Sequence, residues 1–295
     1  MIEVPTISLH RGSTSVTLSN VDDDGSFLLT QGANGLGWGP HEITTAALAG
    51  GGSVVRHRRL VEAEVMLPIL LGARDFYQRR MDRRTLEQLC DGEVEIRITH
   101  DDGWFRSRMG YLKDGLEGSY GSGEDSHDGQ QIVLSFLCPD PWWYGNEKGF
   151  VQKVEAGRKP FITSFDGPAT IPFFPVVLAS STVAGAYQLQ IAGDAPAWPV
   201  WEIHGPGEDL LIESMDTGER IFIEGAFGEV VTVDTRQGDI YSETYTQGEL
   251  WDRVSLDSVL FPLEPGNNSV KVTMVNARPN SEVRLRYREV FRAGH

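Results

Sequence analysis

At 295 residues with a formal net charge of −16, the chain is long enough for two domains with real cores and too acidic for a general nucleic-acid binder, because phosphate repels it. Its hydrophobic content of 40% argues against disorder over most of the length. No apolar run approaches the roughly 20 residues of a membrane-spanning helix, and no secretory leader is expected from the first residues.

The N-terminal half opens with short strands predicted at Ile2–Leu9, Val16–Leu18 and Phe27–Leu29. Asp22-Asp23-Asp24-Gly25, between the last two, lacks the alternating ligands of a calcium loop and reads as a solvated turn. Gly32 to Gly39 has no Lys-Ser/Thr pair behind it, so it is no phosphate loop; it reads as a flexible surface loop carrying Leu36 and Trp38. Gly50-Gly51-Gly52 is a second loose point. From Leu60 to Leu70, Val61, Ala63, Val65 and Leu67 share one face and Glu62 and Glu64 the other, the alternation of a half-buried strand.

One helix is predicted, from about Asp75 to Cys90, with Leu86, Leu89 and Cys90 in its apolar stripe and Arg79, Arg80, Arg83 and Arg84 largely outside it. Asp91-Gly92 ends it. Strands resume at Val94–Ile98, Trp104–Leu112 and Gln131–Leu137, with a turn at Asp101-Asp102-Gly103 and a polar loop from Gly118 to Gly129. Cys138-Pro-Asp-Pro-Trp-Trp-Tyr-Gly145 then stops the sheet, since proline removes a backbone donor. Trp142, Trp143 and Tyr144 are candidate domain-boundary aromatics, pinning the exit between apolar packing and water. The half reads as an α+β module dominated by sheet.

The C-terminal half has almost no helical periodicity. Its strands are predicted at Phe173–Leu178, Tyr187–Ala192, Val200–His204, Leu210–Glu213, Arg220–Glu224, Glu229–Asp234, Val259–Leu263, Val270–Val275 and Glu282–Phe291. Many short strands separated by turn signals predict a β-sandwich or jelly roll. The fold class is thus mainly β: an N-terminal β-rich α+β domain at 1–145, a linker at 146–170 and a C-terminal β-sandwich at 171–295.

Signals of chemistry are weak. The seven histidines share no close zinc-pair spacing, and Cys90 and Cys138 complete no ligand set; both read as reduced and packed. No Gly-x-Ser-x-Gly elbow is present, and neither cofactor nor metal is expected. Residues 51–110 hold 11 arginines, no lysine and 10 acids. Arg56, Arg58, Arg59, Arg79, Arg80, Arg83 and Arg84 are candidates for a subunit interface of Arg–carboxylate pairs, although arginines also simply balance acids on exposed faces. Trp198 and Trp201, bracketing Pro199-Val200, are candidates either for the sandwich core or for stacking on a sugar.

Taken together, certain motifs resemble the distal tail protein of long, non-contractile-tailed bacteriophages, the siphovirus-type tail component, in its actinobacteriophage versions. They are Gly35-Leu36-Gly37, Gly51–Arg59, Arg83-Arg84-Thr85-Leu86, Asp102-Gly103 and Pro139–Tyr144, then Gly193–Val200, Gly205-Pro206-Gly207, Val233–Gly238 and Leu263–Asn268. The resemblance implies a homohexameric ring at the end of the tail, with the N-terminal half as the ring-forming belt and a galectin-like C-terminal sandwich projecting from it. It implies partners in the tail tube protein, the tail-tip hub protein and other minor tail proteins, with genomic DNA passing through the channel without specific binding. It further implies a place at the virion tail tip after assembly in the host cytoplasm, and no enzymatic activity. A carbohydrate-binding host-adhesion module and a β-sandwich glycosidase with two facing carboxylates are the competing readings.

Overall fold

The structure, a computed structural model, describes residues 5–20, 26–72, 76–100, 103–117, 125–126, 129–153, 183–243, 247–278 and 280–295. Two compact units divide the chain: Met1–Asn146 with Val290–His295, and Glu147–Glu289. The predicted linker 146–170 starts inside a strand and lies outside the described residues from 154 onward. The predicted strand at Phe173–Leu178, the turn at Asp22–Gly25, Asp101-Asp102 and most of the loop from Gly118 to Gly129 also lie outside them.

The first unit is built from β1 (Thr6–Arg11), β2 (Thr14–Asn20), β3 (Phe27–Leu29), β4 (His41–Ala47), β5 (Ser53–Leu60), β6 (Ala63–Leu71), α1 (Phe76–Leu89), β7 (Glu93–Thr99), β8 (Phe105–Asp114), β9 (Asp125–Ser126), β10 (Gly129–Cys138) and the start of β11 (Trp143–Lys153). Seven strands run in the order β8-β7-β1-β2-β3-β6-β10, and β10 pairs back onto β8, closing the sheet into a barrel. Closure removes the free edges that would otherwise invite pairing with other chains.

Period-two burial fills this barrel. Ala63, Val65, Leu67, Ile69 and Leu71 of β6 point inward, as do Val94, Ile96 and Ile98 of β7 and Leu134 and Phe136 of β10. α1 packs on β1, β2 and β6 and adds Leu86 and Leu89 to the same core. β4 and β5 form a separate two-stranded sheet. That hairpin is invisible to a search for alternation, because nearly all of its residues are exposed on both faces.

Pro139 and Pro141 do end β10, but a new strand begins at once at Trp143. Trp143 is fully buried in the first unit's core, so it does not mark a packing–water boundary as expected. Trp142 and Tyr144 are half-buried. The Tyr144 hydroxyl donates to Asp140 Oδ2 at 2.6 Å, and the Trp142 backbone N–H donates to Asp140 Oδ1 at 3.3 Å. Asp140 thereby fixes the turn between the prolines.

The second unit is a two-layer sandwich. One layer is β17-β16-β13-β19-β11 and the other β12-β18-β14-β15, from β12 (Val183–Ile191), β13 (Val200–His204), β14 (Gly207–Ser214), β15 (Arg220–Phe227), β16 (Val230–Asp234), β17 (Asp239–Ser242), α2 (Gln247–Trp251), β18 (Gly266–Val275) and β19 (Glu282–Phe291). Phe150, Tyr187, Leu189, Trp201, Val270, Val272, Val283 and Leu285, from both layers, line a small apolar gap in its core. Val259–Leu263 is not a strand; Leu263 forms only an isolated bridge to Ala197.

Turn chemistry explains two of the motifs singled out in the sequence. Asp234 Oδ1 accepts from the Arg236 and Gln237 amides at 2.9 and 3.0 Å, and Thr235 Oγ1 donates to the Pro199 carbonyl at 2.7 Å. Asn268 accepts from Glu264 N–H at 2.8 Å and donates to Glu264 O at 2.7 Å. Each set replaces backbone pairing that the turn gives up.

Cys90 and Cys138 are both free and buried, and burial pushes both thiols up to about 11 from 9.0. The folded chain keeps these protons while an unfolded chain loses them above pH 9. Their contribution is therefore complete below pH 9 and is lost as pH rises towards 11. Two results are expected: no reaction with an aromatic disulfide reagent at pH 8 until denaturant is added, and a melting temperature of the first unit that falls between pH 9 and 11. Rapid native labelling of either thiol would contradict this burial.

Candidate assembly surface

The hairpin β4–β5 is the most exposed ordered element. Its apolar side chains face solvent: Ile43 is 55% exposed and Val55 58%, with Leu48 and Val54 also exposed. A β-bulge between Thr44 and Thr45 twists it. At its tip the Gly51 amide donates to Leu48 O at 3.0 Å and the Leu48 amide to Gly52 O at 3.1 Å, with Gly51 and Gly52 at φ +91° and +80°. Such φ values favour glycine, which accounts for Gly51 and Gly52. Two strands alone are marginally stable in water, and exposed β-branched residues on both faces mark a surface meant to be covered.

The predicted arginines divide into three groups. Arg56, Arg58 and Arg59 all lie exposed on β5. Arg59 pairs with Glu42 across the hairpin at 2.7 Å, and Arg58 lies 5.6 Å from the centroid of the Trp38 ring. Arg80 and Arg84 are exposed on α1, beside Tyr77 and Met81, which are 72% and 40% exposed. Tyr, Met and Arg together are the composition enriched at protein interfaces. Arg79 and Arg83 depart from the expected solvent face. Arg79 is buried, and Arg83 turns inward to donate to Leu116 O at 3.0 Å and Gln130 Oε1 at 3.3 Å, besides pairing with Glu87. The structure thus gathers three of the seven on one arm and two on one helix face.

Sequence reasoning missed the arm and its anchorage. The Gly32–Gly39 segment is pinned and not a loose loop. Asn34 exchanges both backbone hydrogen bonds with Met66 at 2.9 and 3.0 Å, and Leu36 packs on the core. Gly35 sits at φ +81°, where an added Cβ would collide with the Glu64 backbone. Arg108, fully buried, donates to Gly35 O at 3.3 Å and to Pro141 O, and lies 4.4 Å from the centroid of the Trp143 ring. Burial lowers its guanidinium to about 10 against the pull of Cys138, Asp140 and Tyr144, so it stays charged at neutral pH. One signal could have revealed the arm: two runs rich in Val, Ile and Thr, His41–Ala47 and Ser53–Leu60, flanking a glycine turn.

In the second unit Trp201 is buried at 2% exposure, within the sandwich core, and its ring cannot stack on a sugar; Trp198 is 38% exposed. Among the described residues no cluster of His, Cys, Asp or Glu could hold a metal ion, and no helix is long and apolar enough to cross a membrane.

The fold combines a barrel carrying a two-stranded arm with a β-sandwich. Residues 192–291 match the family model described as siphovirus-type tail component, C-terminal domain. The whole chain is similar to the crystal structure of Dit from phage SPP1, described as a paradigm of the hub adsorption apparatus in phages infecting Gram-positive bacteria. That likeness has 16% identity and a TM-score of 0.58, and covers 90% of this chain and 94% of that one. A chain of the phage P2 baseplate in its activated conformation with calcium is also similar, at 12% identity, covering 96% of this chain and 98% of that one, with a TM-score of 0.49. No curated protein matches the sequence significantly. The chain thus shares the fold of SPP1 Dit, and its residues 192–291 match the C-terminal domain of the siphovirus-type tail component.

Proposed function

We propose that the chain is a structural virion protein of the phage tail tip, six copies of which close into a ring joining the tail tube protein to the tail-tip hub. The observation that carries this reading is the β4–β5 arm, whose exposed Ile43, Val54 and Val55 require cover that the chain's own barrel does not give. An arm that docks on a different patch of the next copy makes a head-to-tail contact, and such contacts generate rings when the rotation closes. Arg56, Arg58, Arg80 and Arg84 then meet a strongly acidic partner, since each copy carries a net charge of −16; this complementarity fixes register more than affinity. A ring of acidic subunits also repels DNA passing through it, and a channel lined with basic residues would contradict that part.

Native mass measurement and negative-stain electron microscopy of the purified chain, alone and mixed with tail tube and hub proteins, test the proposal. A six-fold annulus is expected. A chain that stays monomeric in every mixture and is missing from virions would overturn it.

A further inference from the structure

The root of the arm is held from two sides within the first unit, and the second hold comes from residues distant in sequence. The Gly294 amide donates to Leu36 O at 2.8 Å. Arg106 Nη1 donates to Ala293 O at 2.7 Å and to His295 O at 2.6 Å, while its guanidinium lies 4.0 Å from the Phe291 ring centroid and 4.7 Å from that of Trp104. Gly294 is buried so closely that an added Cβ would come within 2.5 Å of Ile98 Cδ1 and 3.0 Å of Trp143 Cε2. Arg292 lies 5.2 Å from the centroid of the Trp38 ring, which Arg58 of β5 approaches at 5.6 Å and the His41 ring of β4 meets edge-on at 5.0 Å.

Trp38 is therefore a pivot: the first residue of one arm strand, a cation of the other and Arg292 all gather on one ring. Leu36 and Trp38 lie only five and three residues before β4 begins at His41. A segment that bonds Leu36 and sets Arg292 against the Trp38 ring therefore fixes the direction in which the arm leaves the barrel. A two-stranded ribbon has little rigidity of its own, so that direction must be imposed at the root.

We propose that Phe291–His295 is a clamp that sets the direction of the β4–β5 arm through Leu36 and Trp38, with Arg106 and Arg292 as its positioning residues. Because the segment follows the second unit in the chain, the clamp closes only after that unit has been made. The arm thus becomes competent for docking in a completed chain and not in a partial one. This inference rests on the reading of the arm as a subunit contact.

The experiment places spin labels at Ser53→Cys, near the arm's tip, and Gln131→Cys, on the barrel wall, in chains diluted with unlabelled protein. Electron–electron distance distributions are compared for the intact chain, a chain ending at Phe291, Arg106→Gln and Arg292→Ala. The intact chain should give one narrow distance. The shortened chain and Arg106→Gln should broaden it at least twofold and lower ring yield at least tenfold, and Arg292→Ala should broaden it less. If the shortened chain fails to fold, the two substitutions still decide. Unchanged distributions in every variant would overturn the clamp. Broadening in a chain whose intact form builds no ring would uphold the clamp and sink the ring reading alone.

Discussion

Replacing Ile43 and Val55 with aspartate should leave a folded chain that no longer builds rings. Both side chains are more than half exposed in the single chain, and substitutions at such positions usually change stability by no more than about 0.5 kcal/mol. Barrel and sandwich cores share no residue with the arm, so circular dichroism and the melting transitions should match the parent. Assembly is affected very differently. Covering a valine or isoleucine contributes about 1.5–3 kcal/mol, and an unpaired carboxylate in the same contact adds a desolvation cost. Losing at least 3–6 kcal/mol per contact weakens each junction by roughly 10² to 10⁴-fold, and a closed ring repeats that loss at every junction. Native mass should show monomer at concentrations where the parent is a ring. The milder Ile43→Thr and Val55→Thr pair, which keeps β-branched shape, should weaken assembly without abolishing it. Ring formation by the aspartate pair at the parent's concentration would remove the arm from the interface.

The contrast between what the sequence disclosed and what it concealed follows one physical line. β6 was readable because one of its faces is dry: Val65 and Leu67 are fully buried while Glu64 is exposed. α1 was readable from its stripe and its Asp91-Gly92 stop. The arm was not, because a ribbon wet on both faces imposes no period on its residues. The Arg56–Arg59 cluster and the Gly50-Gly51-Gly52 turn were its traces in the sequence, without the strands that join them. Arg79 and Arg83 misled for the opposite reason. An arginine outside an apolar stripe is normally solvated, yet for Arg83 the Leu116 carbonyl and Gln130 at the start of β10 supply acceptors that no local pattern announces. Trp143 misled only in its exposure, since the two units do divide close by, between Asn146 and Glu147. A tryptophan that opens a strand after a tight turn can just as well point into the core, and this one does.

Arg108→Met should lower the melting temperature of the first unit by roughly 5–15 °C, the second large effect expected. Arg108 is a fully buried charge on β8, and its partners are backbone carbonyls of two loops far apart in sequence, Gly35 and Pro141. Hydrogen bonds from a charged donor contribute about 1.5–3 kcal/mol each, and the guanidinium stacked on Trp143 adds up to about 2 kcal/mol where desolvated. Methionine recovers the apolar volume and removes the cost of burying charge, which is why the net loss is set at about 2–4 kcal/mol and below the sum of those contacts. It leaves both carbonyls without their donor, and the Gly32–Gly39 segment loses one tie to the core. Arg108→Lys should recover less than half of the loss, because one ammonium cannot present the fork that reaches two separate carbonyls. Amide exchange in residues 34–37 should accelerate in both variants, while exchange in the sandwich strands β13 and β18 stays as in the parent. A methionine variant that melts within 1 °C of the parent would mean that the two carbonyls find other donors, and that Arg108 does not hold the root of the arm.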